Sequence, residues 1–368
     1  MLLVKAKRDE LLGPLSSVSG IIERRHTLPI LSNVLIDRGE NALSFLATDI
    51  EIQITARSPL EQRGNASALT VGARKLVDIL RALPENAEVT LQQQEKRLLV
   101  KTGKSRFTLQ TLPAEDFPRL AKPAGASAHL TLSQKSLRAL IGLVQYAMAQ
   151  QDIRYYLNGL LMLVEDGQLR LVATDGHRLA YASMKLDAAL PRQEVIVPRK
   201  TVVELNKLLM DVEDEVKVEV SATQAAFNFG SIELVSKLVD GKFPDYTRVI
   251  PTQHKNKLEI DRDVLRQALQ RAAILSNEKF RGVRWVLTRD SLKIVSSNAE
   301  QEEAQEEIEV SYDGDSLDIG FNVNYLLDVL NNVTGAKLEC AFGDSSSSAL
   351  LTFASVPDFK YVVMPMRI

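Results

Sequence analysis

The stretch Leu169–Ser183, LRLVATDGHRLAYAS, has the pattern of two β-strands joined by a short turn. Alternate residues from Leu169 to Ala173 are apolar, which is the period of a half-buried strand. Asp175-Gly176 predicts a tight two-residue turn, because both residue types tolerate a positive φ. The residues after the turn then form the return strand of a hairpin.

Related copies of this hairpin occur earlier and later in the chain, about 125 residues apart. The motif Ala-Thr-Asp at 47–49 matches the same motif at 173–175, and Asn298 takes the place of the aspartate in the third copy. A second landmark recurs with the same spacing and reads VGARK at 71–75, VPRKT at 197–201 and FNVNY at 321–325. A repeat of this length is a whole domain. The predicted domains are residues 1–123, 129–250 and 256–368.

Each domain is predicted to begin with an amphipathic helix, followed by strands that include the hairpin, a second helix and further strands. Ser133 is a candidate N-cap in the second domain, where apolar residues follow at helical spacing. Asp261 or Asp263 takes this position in the third domain, whereas Gly13-Pro14 interrupts the helix of the first. The pattern predicts an α+β fold in which two helices per domain pack on antiparallel sheets.

The composition is typical of an intracellular globular protein. The 368 residues carry a net charge of −2, with 45% hydrophobic and 25% charged residues. Cys340 is the single cysteine, which excludes an intrachain disulfide and favours a reducing compartment. Charged residues come too early for a signal peptide, and no apolar run approaches membrane-spanning length. We expect a cytoplasmic protein with no membrane association.

Basic residues recur at matching positions of the second helices, away from the apolar face. They are Arg74 and Arg81 in the first domain, and Lys200 and Lys207 one repeat later. The third domain has asparagines there and offers Arg266 and Arg271 on its first helix instead. One such helix is normally a solvated surface. The recurrence favours a shared basic surface.

The residues that catalysis requires are missing. Asp175 and His177 are two residues apart across a turn, a spacing that does not align a base with a nucleophile. The four histidines lack metal-ligand spacing, and the chain has neither a phosphate-binding loop nor a dinucleotide fingerprint. We therefore expect no enzyme activity, no metal and no cofactor. The remaining enzymatic hypothesis is a hydrolase acting at Asp175 and His177.

Six motifs together resemble the bacterial DNA polymerase III β-subunit family, the sliding clamps, over the whole chain. They are TLPILSN at 27–33, QDIRYYLNG at 151–159, ATDGHRLA at 173–180, SKLVDGKFPDY at 236–246, AILSNEKFRG at 273–282 and YVVMPMRI at 361–368. The resemblance implies the DNA clamp fold and a head-to-tail homodimer closed into a ring. Such a ring encircles double-stranded DNA without sequence specificity and acts as a processivity factor in DNA replication.

The resemblance also implies partners and two sets of binding residues. The partners are the DNA polymerase III α subunit, the clamp loader δ subunit, and other clamp-binding polymerases and repair proteins. The implied DNA contacts are Arg25, Arg74, Gln151, Tyr155 and Tyr156, and the basic helices above would face the duplex. The implied partner-peptide groove comprises Arg154, Leu157, Thr174, Gly176, His177, Arg178, Leu179, Pro244, Arg248, Val249, Phe280, Asn322, Tyr325, Ser346, Val362, Met364, Pro365, Met366 and Arg367. Ser346 departs from the family, which has an apolar residue there.

Ring closure is expected where three joined domains leave a free sheet edge at each end, because free edges tend to pair. The first domain offers a basic strand and the third an acidic one, so opposite charges favour head-to-tail pairing. The predicted interface comprises Lys75, Lys104, Arg106, Phe107, Ile274, Leu275, Glu300, Glu302, Glu303 and Glu306, with the apolar residues at its centre. The alternative function is a DNA-binding or regulatory scaffold that forms no ring.

Overall fold

The computed structural model describes residues 1–23, 28–60, 65–123, 125, 128–187 and 190–368. These residues form six α-helices and 24 β-strands. Among the described residues, none of the helices combines the length and the apolarity needed to cross a membrane.

The elements follow one another in three successive sets. The first set is β1 (Leu2–Lys7), α1 (Arg8–Ser19), β2 (Asn33–Arg38), β3 (Ala42–Thr48), β4 (Ile52–Pro59), β5 (Ser67–Gly72), α2 (Ala73–Ala82), β6 (Glu88–Gln94), β7 (Arg97–Thr102) and β8 (Ser105–Leu112). The second is β9 (Ala128–Ser133), α3 (Gln134–Val144), β10 (Gly159–Glu165), β11 (Gln168–Thr174), β12 (Arg178–Lys185), β13 (Gln193–Pro198), α4 (Arg199–Leu208), β14 (Glu215–Val220), β15 (Gln224–Phe229) and β16 (Ile232–Lys237). The third is β17 (Asn256–Asp261), α5 (Arg262–Ile274), β18 (Gly282–Thr288), β19 (Ser291–Ser297), β20 (Glu303–Glu309), β21 (Leu317–Asn322), α6 (Val323–Asn332), β22 (Lys337–Phe342), β23 (Ala349–Phe353) and β24 (Val356–Val363).

The element order is the same in every set, which confirms the repeat. The prediction that a helix opens each domain is wrong, because a six-residue strand precedes it in all three. That strand pairs antiparallel with the strand after the second helix, as β1 with β6, β9 with β14 and β17 with β22. Its alternating burial, seen in β9, is the pattern of an edge strand with one face on the core.

Each set contributes two four-stranded antiparallel layers, and these layers merge at strand edges. β4 pairs with β16, so strands of the first and second sets share a 12-stranded sheet. β12 pairs with β24, so strands of the second and third sets share an eight-stranded sheet. The remaining four-stranded sheet has the order β20-β19-β18-β21. Neighbouring repeats are therefore joined by backbone hydrogen bonds.

Two compact units result from this pairing. The first contains residues Met1–Ser136 and Val203–Leu238, and the second contains Leu137–Val202 and Val239–Ile368. The middle set is divided between them, since its two layers belong to different merged sheets. The buried core of each unit is almost entirely aliphatic and aromatic.

The hairpin loop is longer than the predicted two-residue turn. Thr174 is the last paired residue of β11 and lies opposite Leu179, so four residues intervene. Gly176 alone of these has a positive φ, at 88°. The Asp175 carboxylate accepts hydrogen bonds from the backbone N–H of His177 and of Arg178, at 2.9 and 3.0 Å. Hydrogen bonds to the Asp175 side chain thus replace the cross-strand backbone hydrogen bonds that would close a tight two-residue turn.

The first repeat builds its loop in the same way. Thr48 donates to the carbonyl of Ile52 and accepts from the N–H of Ile50, as Thr174 does with Arg178 and Gly176. Asp49 Oδ1 accepts from the N–H groups of residues 51 and 52. The sequence match of Ala-Thr-Asp is therefore a match of hydrogen bonding. In the third repeat Asn298 accepts from the N–H of Glu302, four residues on, at 2.9 Å.

Two of the predicted helix caps are confirmed. Ser133 Oγ accepts from the N–H of Ser136 at the start of α3. Asp261, rather than Asp263, caps α5 and accepts from two backbone N–H groups. Helix α1 continues through Pro14 without a break. Three buried residues, Leu11, Leu15 and Val18, hold it against the sheet, so tertiary packing outweighs the lost backbone hydrogen bond.

Replacing Asp49 with alanine tests the importance of the loop hydrogen bonds. The change leaves two N–H groups without their carboxylate, and we expect unfolding to become easier by about 1–3 kcal/mol. Urea-induced unfolding followed by circular dichroism measures this. Asp78→Ala, on the exposed face of α2, is the matched control and should change stability by less than about 0.5 kcal/mol. Equal stability of the two variants would contradict the role of the loop.

Candidate functional site

Most of the predicted groove residues surround the point where three strands of the second unit end together. Arg178 on β12 lies opposite Val363 on β24, and Ala349 on β23 lies opposite the same Val363. The chain continues from β24 into Met364, whose N–H donates to the His177 carbonyl at 2.9 Å. The hairpin loop and the C-terminal segment are thereby held side by side.

Arg154 braces the outer side of the hairpin loop. Its guanidinium forms a two-point contact with the Asp152 carboxylate, at 3.0 and 2.8 Å, and donates to the Asp175 carbonyl at 3.1 Å. Hydrogen bonds from Arg154 lower the pKa of the Asp152 carboxyl to about 2. A Cβ on Gly176 would lie 2.8 Å from Arg154 Nη1 and would displace this guanidinium, and the positive φ of 88° favours glycine at the position.

Arg178 is a buried cation, with 9% of its side chain exposed. Its guanidinium pairs with Asp175 at 3.2 Å and with Asp328 on α6 at 2.5 Å. It also donates to the Tyr146 carbonyl at 2.7 Å. Burial acts to lower the pKa of Arg178, but Tyr361 and Asp328 outweigh it and raise the pKa above the ordinary value.

Three tyrosines enclose this guanidinium. The Arg178 side chain lies over the rings of Tyr325 and Tyr146, at 4.5 and 5.7 Å from their centroids. Tyr361 packs 5.9 Å from Tyr146, and its hydroxyl donates to the Tyr325 carbonyl. Burial raises the pKa of all three phenols, so they are neutral at physiological pH. The cluster fixes the hairpin, helix α6 and strand β24 to one another.

The predicted groove residues divide into a buried floor and an exposed rim. Leu179 and Val362 belong to an apolar cluster of the second unit, and Leu157, Thr174 and Arg178 are also buried. The rim includes large apolar side chains that remain exposed, among them Phe280 at 57%, Met364 at 47% and Val249. Pro244, His177, Arg248 and Arg367 are exposed as well. Exposed apolar groups above an apolar floor are typical of a peptide-binding surface.

The C-terminal segment is anchored at its far end. Met366 donates its N–H to the Gly320 carbonyl at 2.8 Å, and the Ile368 side chain covers Gly320 and Gly282. Asn322 caps α6 through its side chain and donates to the Phe280 carbonyl. Pro365 and Met366 are half-buried.

The hydrolase hypothesis finds no support in this geometry. The Asp175 carboxylate is bonded to two backbone N–H groups and to Arg178, so it does not orient the His177 ring. Within the described part of the chain, no group of three His, Cys, Asp or Glu side chains is arranged to hold a metal ion. Cys340 is buried, and burial raises the pKa of its thiol.

Comparison with known proteins identifies the family. Three domain models match successive parts of the chain: the N-terminal domain of the DNA polymerase III β subunit at residues 2–121, the central domain at 131–245 and the C-terminal domain at 247–367. The chain belongs to the family of DNA polymerase III β subunits, the sliding clamps. The family has three domains per chain, built from antiparallel sheets and helices.

Individual clamps match along their full length. The β sliding clamp of Pseudomonas putida is 50% identical over 363 residues, covering 98% of this chain and 99% of that protein. The Escherichia coli K12 clamp is 47% identical over 362 residues, with the same coverage. The crystal structure of the Pseudomonas aeruginosa clamp bound to griselimycin superposes with a TM-score of 0.96 at 47% identity, covering 100% of both chains. The Caulobacter crescentus clamp gives a TM-score of 0.94 at 40% identity.

The residues predicted from the clamp family to contact DNA differ in how far they are exposed. Arg25 lies outside the described residues. Arg74 and Arg81 are exposed on α2, and Gln151 and Tyr155 are exposed in the second unit. Tyr156 is half-buried and packs against the apolar cluster beneath the groove.

Arg74 forms a long ion pair, at 4.0 Å, with Asp78 on the same helix. The other predicted basic residues have closer acidic partners or are half-buried. Lys207 pairs with Glu204, and Arg266 pairs with Asp263. Arg271 makes a two-point contact with Glu306, at 2.9 and 2.6 Å. Arg271 is predicted to contact DNA and Glu306 to lie in the dimer interface, so this contact joins members of the two predicted sets within one chain. Lys200 is half-buried.

Two partners of Arg178, Asp328 and Tyr146, could not be predicted from the sequence. Asp328 and Tyr146 carry no motif, and nothing in their local sequence pattern marks them. They meet Arg178 because β12 pairs with β24 and because α6 packs nearby, which is a consequence of tertiary structure.

Removing the buried cation should weaken the clamp fold more than removing an exposed one. We expect Arg178→Met to cost about 2–4 kcal/mol of unfolding free energy, because two carboxylates lose their partner. Asp328→Asn should cost about 1 kcal/mol, since its amide oxygen still accepts a hydrogen bond. Arg248→Met, at an exposed position, is the control. Chemical unfolding measures all three, and equal effects of Arg178→Met and Arg248→Met would refute the assignment.

Proposed function

We propose that this chain is a processivity factor of DNA replication in the cytoplasm: a non-catalytic ring that encircles duplex DNA and tethers the replicative polymerase. Full-length similarity to β sliding clamps supports this. The observation that carries the ring is the repeated edge pairing. In the first and second repeats, the strand at one edge of the hairpin layer pairs with the last strand of the next repeat.

Two strands remain without such a partner in the described chain. β4 pairs with β16 and β12 with β24. By the same rule, β20 should pair with the last strand of a following repeat. β8, which is the last strand of the first repeat, should pair with the edge strand of a preceding repeat's hairpin layer. β20 pairs only with β19, and residues 105–110 of β8 pair only with β7. A second copy, placed head to tail, satisfies both edges.

The two edges are complementary in charge. Arg106 is exposed on β8, Lys104 is exposed in the turn just before it, and Lys75 is exposed on α2. Glu303, the first residue of β20, is exposed, and so are Glu300 and Glu302 just before it. Glu306 contributes less, because Arg271 already neutralises it and lowers the pKa of its carboxyl.

The centre of the proposed interface is apolar. Ile274 is 76% exposed at the end of α5, and Leu275 follows it half-buried. Phe107 is half-buried on β8. Exposed ion pairs contribute only about 0–1 kcal/mol each, so these apolar side chains supply most of the affinity.

The DNA is held by weak contacts. Arg74, Arg81, Gln151 and Tyr155 are exposed and available to phosphates, sugars or bases. Phosphate contacts carry no sequence information. Nonspecific affinity of this kind is weak, about 10⁻⁴–10⁻⁶ M at physiological salt. A closed ring tolerates it, because release requires opening, and weak contacts allow sliding.

Peptide segments of partner proteins occupy the groove in this proposal. The partners are the DNA polymerase III α subunit, the clamp loader δ subunit, and other polymerases and repair proteins that use the same surface. Exposed Phe280 and Met364 above a buried apolar floor support it. Griselimycin, which binds the P. aeruginosa clamp, is a ready probe for this chain.

We also propose the domain boundaries 1–123, 129–250 and 256–368. Three family models that end near these positions support them. The two compact units cross these boundaries because the sheets merge.

Topological retention tests the function. We expect the protein, loaded by a clamp loader and ATP, to remain on nicked circular DNA through gel filtration and to be released when the circle is cut. The physical reason is that a closed ring is topologically linked to circular DNA and stays on it even when its affinity for DNA is weak. Equal retention on circular and linear DNA would favour the alternative, a DNA-binding scaffold that forms no ring.

Substitution at the interface tests ring closure. Ile274→Ala with Leu275→Ala should yield folded monomers, whereas Glu302→Gln should weaken the dimer by no more than about fivefold, since an exposed charge contributes little. Val264→Ala, an exposed apolar residue on the same helix, is the control. Sedimentation at nanomolar to micromolar protein measures the dissociation constant. A double variant as dimeric as the parent would place the interface elsewhere.

A further inference from the structure

A serine-rich loop forms one end of the groove rim. Residues 343–348, GDSSSS, connect β22 to β23. Since Ala349 pairs with Val363, the preceding residue Ser348 lies at the level of Met364, on the side opposite His177. His254 Nε2 lies 2.7 Å from the Ser348 carbonyl and fixes the end of the loop.

Asp344 organises this loop. Its Oδ1 accepts three hydrogen bonds, from the N–H of Ser346, the hydroxyl of Ser346 and the hydroxyl of Ser347, each at 2.8 Å. Each of these hydroxyls has its one proton directed to Asp344, so only its lone pairs face outward. Two hydroxyls are thereby converted into hydrogen-bond acceptors.

The carboxylate itself adds a negative charge. Asp344 is exposed, the three hydrogen bonds above all go to its Oδ1, and no cation pairs with it among the residues that the structure describes. Hydrogen bonds from Ser347 and Ser346 lower the pKa of the carboxyl to about 2, so the charge is present throughout the physiological range. The rim therefore presents one anionic oxygen and two acceptor hydroxyls within a single turn.

We propose that this loop is a specificity subsite of the groove that selects a partner peptide with a lysine or arginine side chain at the position over Ser346. An apolar peptide side chain would leave Asp344 Oδ2 unpaired and partly desolvated, whereas a cationic donor satisfies the acceptors. The inference rests on the proposed peptide groove and deepens it. The apolar floor still binds the rest of the peptide, and the serine loop decides the residue at one end.

Peptide binding measured by fluorescence anisotropy tests the subsite. The probe is a labelled nine-residue peptide, selected from a random library for binding to the full chain and displaced by griselimycin. Variants of it carry arginine or leucine at each position in turn. We expect one position at which arginine binds about three- to tenfold more tightly than leucine, a range typical of a partly exposed charged contact.

Three variants of the chain test whether the serine loop causes the preference for arginine. Asp344→Asn keeps an acceptor oxygen but removes the charge, so the arginine preference should fall to less than about twofold. Ser346→Val should reverse it in favour of leucine. Asp358→Asn, which removes the charge of an exposed aspartate at the other end of β24, should leave it unchanged. Circular dichroism confirms that each variant is folded.

The outcomes separate the subsite from the groove. Tight binding with no arginine preference at any position overturns the subsite and leaves the proposed groove intact. A preference that survives Asp344→Asn overturns the assignment to this loop. If Met364→Ala with Phe280→Ala leaves the affinity of the parent peptide unchanged, the groove is elsewhere and the subsite fails with it.

Discussion

The pairing of sheet edges between successive repeats is the constraint on which the rest of this structure depends. A free edge strand exposes a row of unpaired N–H and C=O groups, and each repeat has such an edge on both of its layers. The chain satisfies two junctions internally, through β4 with β16 and β12 with β24. At the third junction, β20 pairs only with β19 and residues 105–110 of β8 pair only with β7 among the described residues, so these two edges are available to a second copy.

The proposed groove results from the second junction, the pairing of β12 with β24. Pairing of β12 with β24 brings the hairpin loop, the C-terminal segment and the serine loop to the same end of one sheet. The buried Arg178 then joins the hairpin to α6 and to Tyr361. Breaking such a buried pair is costly, so Arg178 holds these elements together beneath the exposed residues of the proposed groove. Flexible methionines above the floor suit a surface that accepts several peptides.

A net charge of −2 is compatible with DNA binding because the charges are segregated. Arg74 and Arg81 stand exposed on α2, whereas the glutamates of β20 lie on a different element. Several other cations are neutralised locally, as Lys207 is by Glu204 and Arg271 by Glu306. Such pairing weakens the grip on phosphates, which is what a ring that must slide requires.

The sequence by itself determined the three-fold repeat, the hairpin at Asp175, the caps at Ser133 and Asp261, and the clamp family, because these depend on local spacing and local hydrogen bonding. It missed the opening strand of each repeat and gave the hairpin too short a turn, because edge pairing and an aspartate that binds two N–H groups outweigh local turn preference. Only the tertiary structure decided the surroundings of Arg178, which come from residues far apart in sequence. It also decided that both hydroxyls at 346 and 347 point to Asp344, because a side chain's free acceptors depend on the partners that folding supplies.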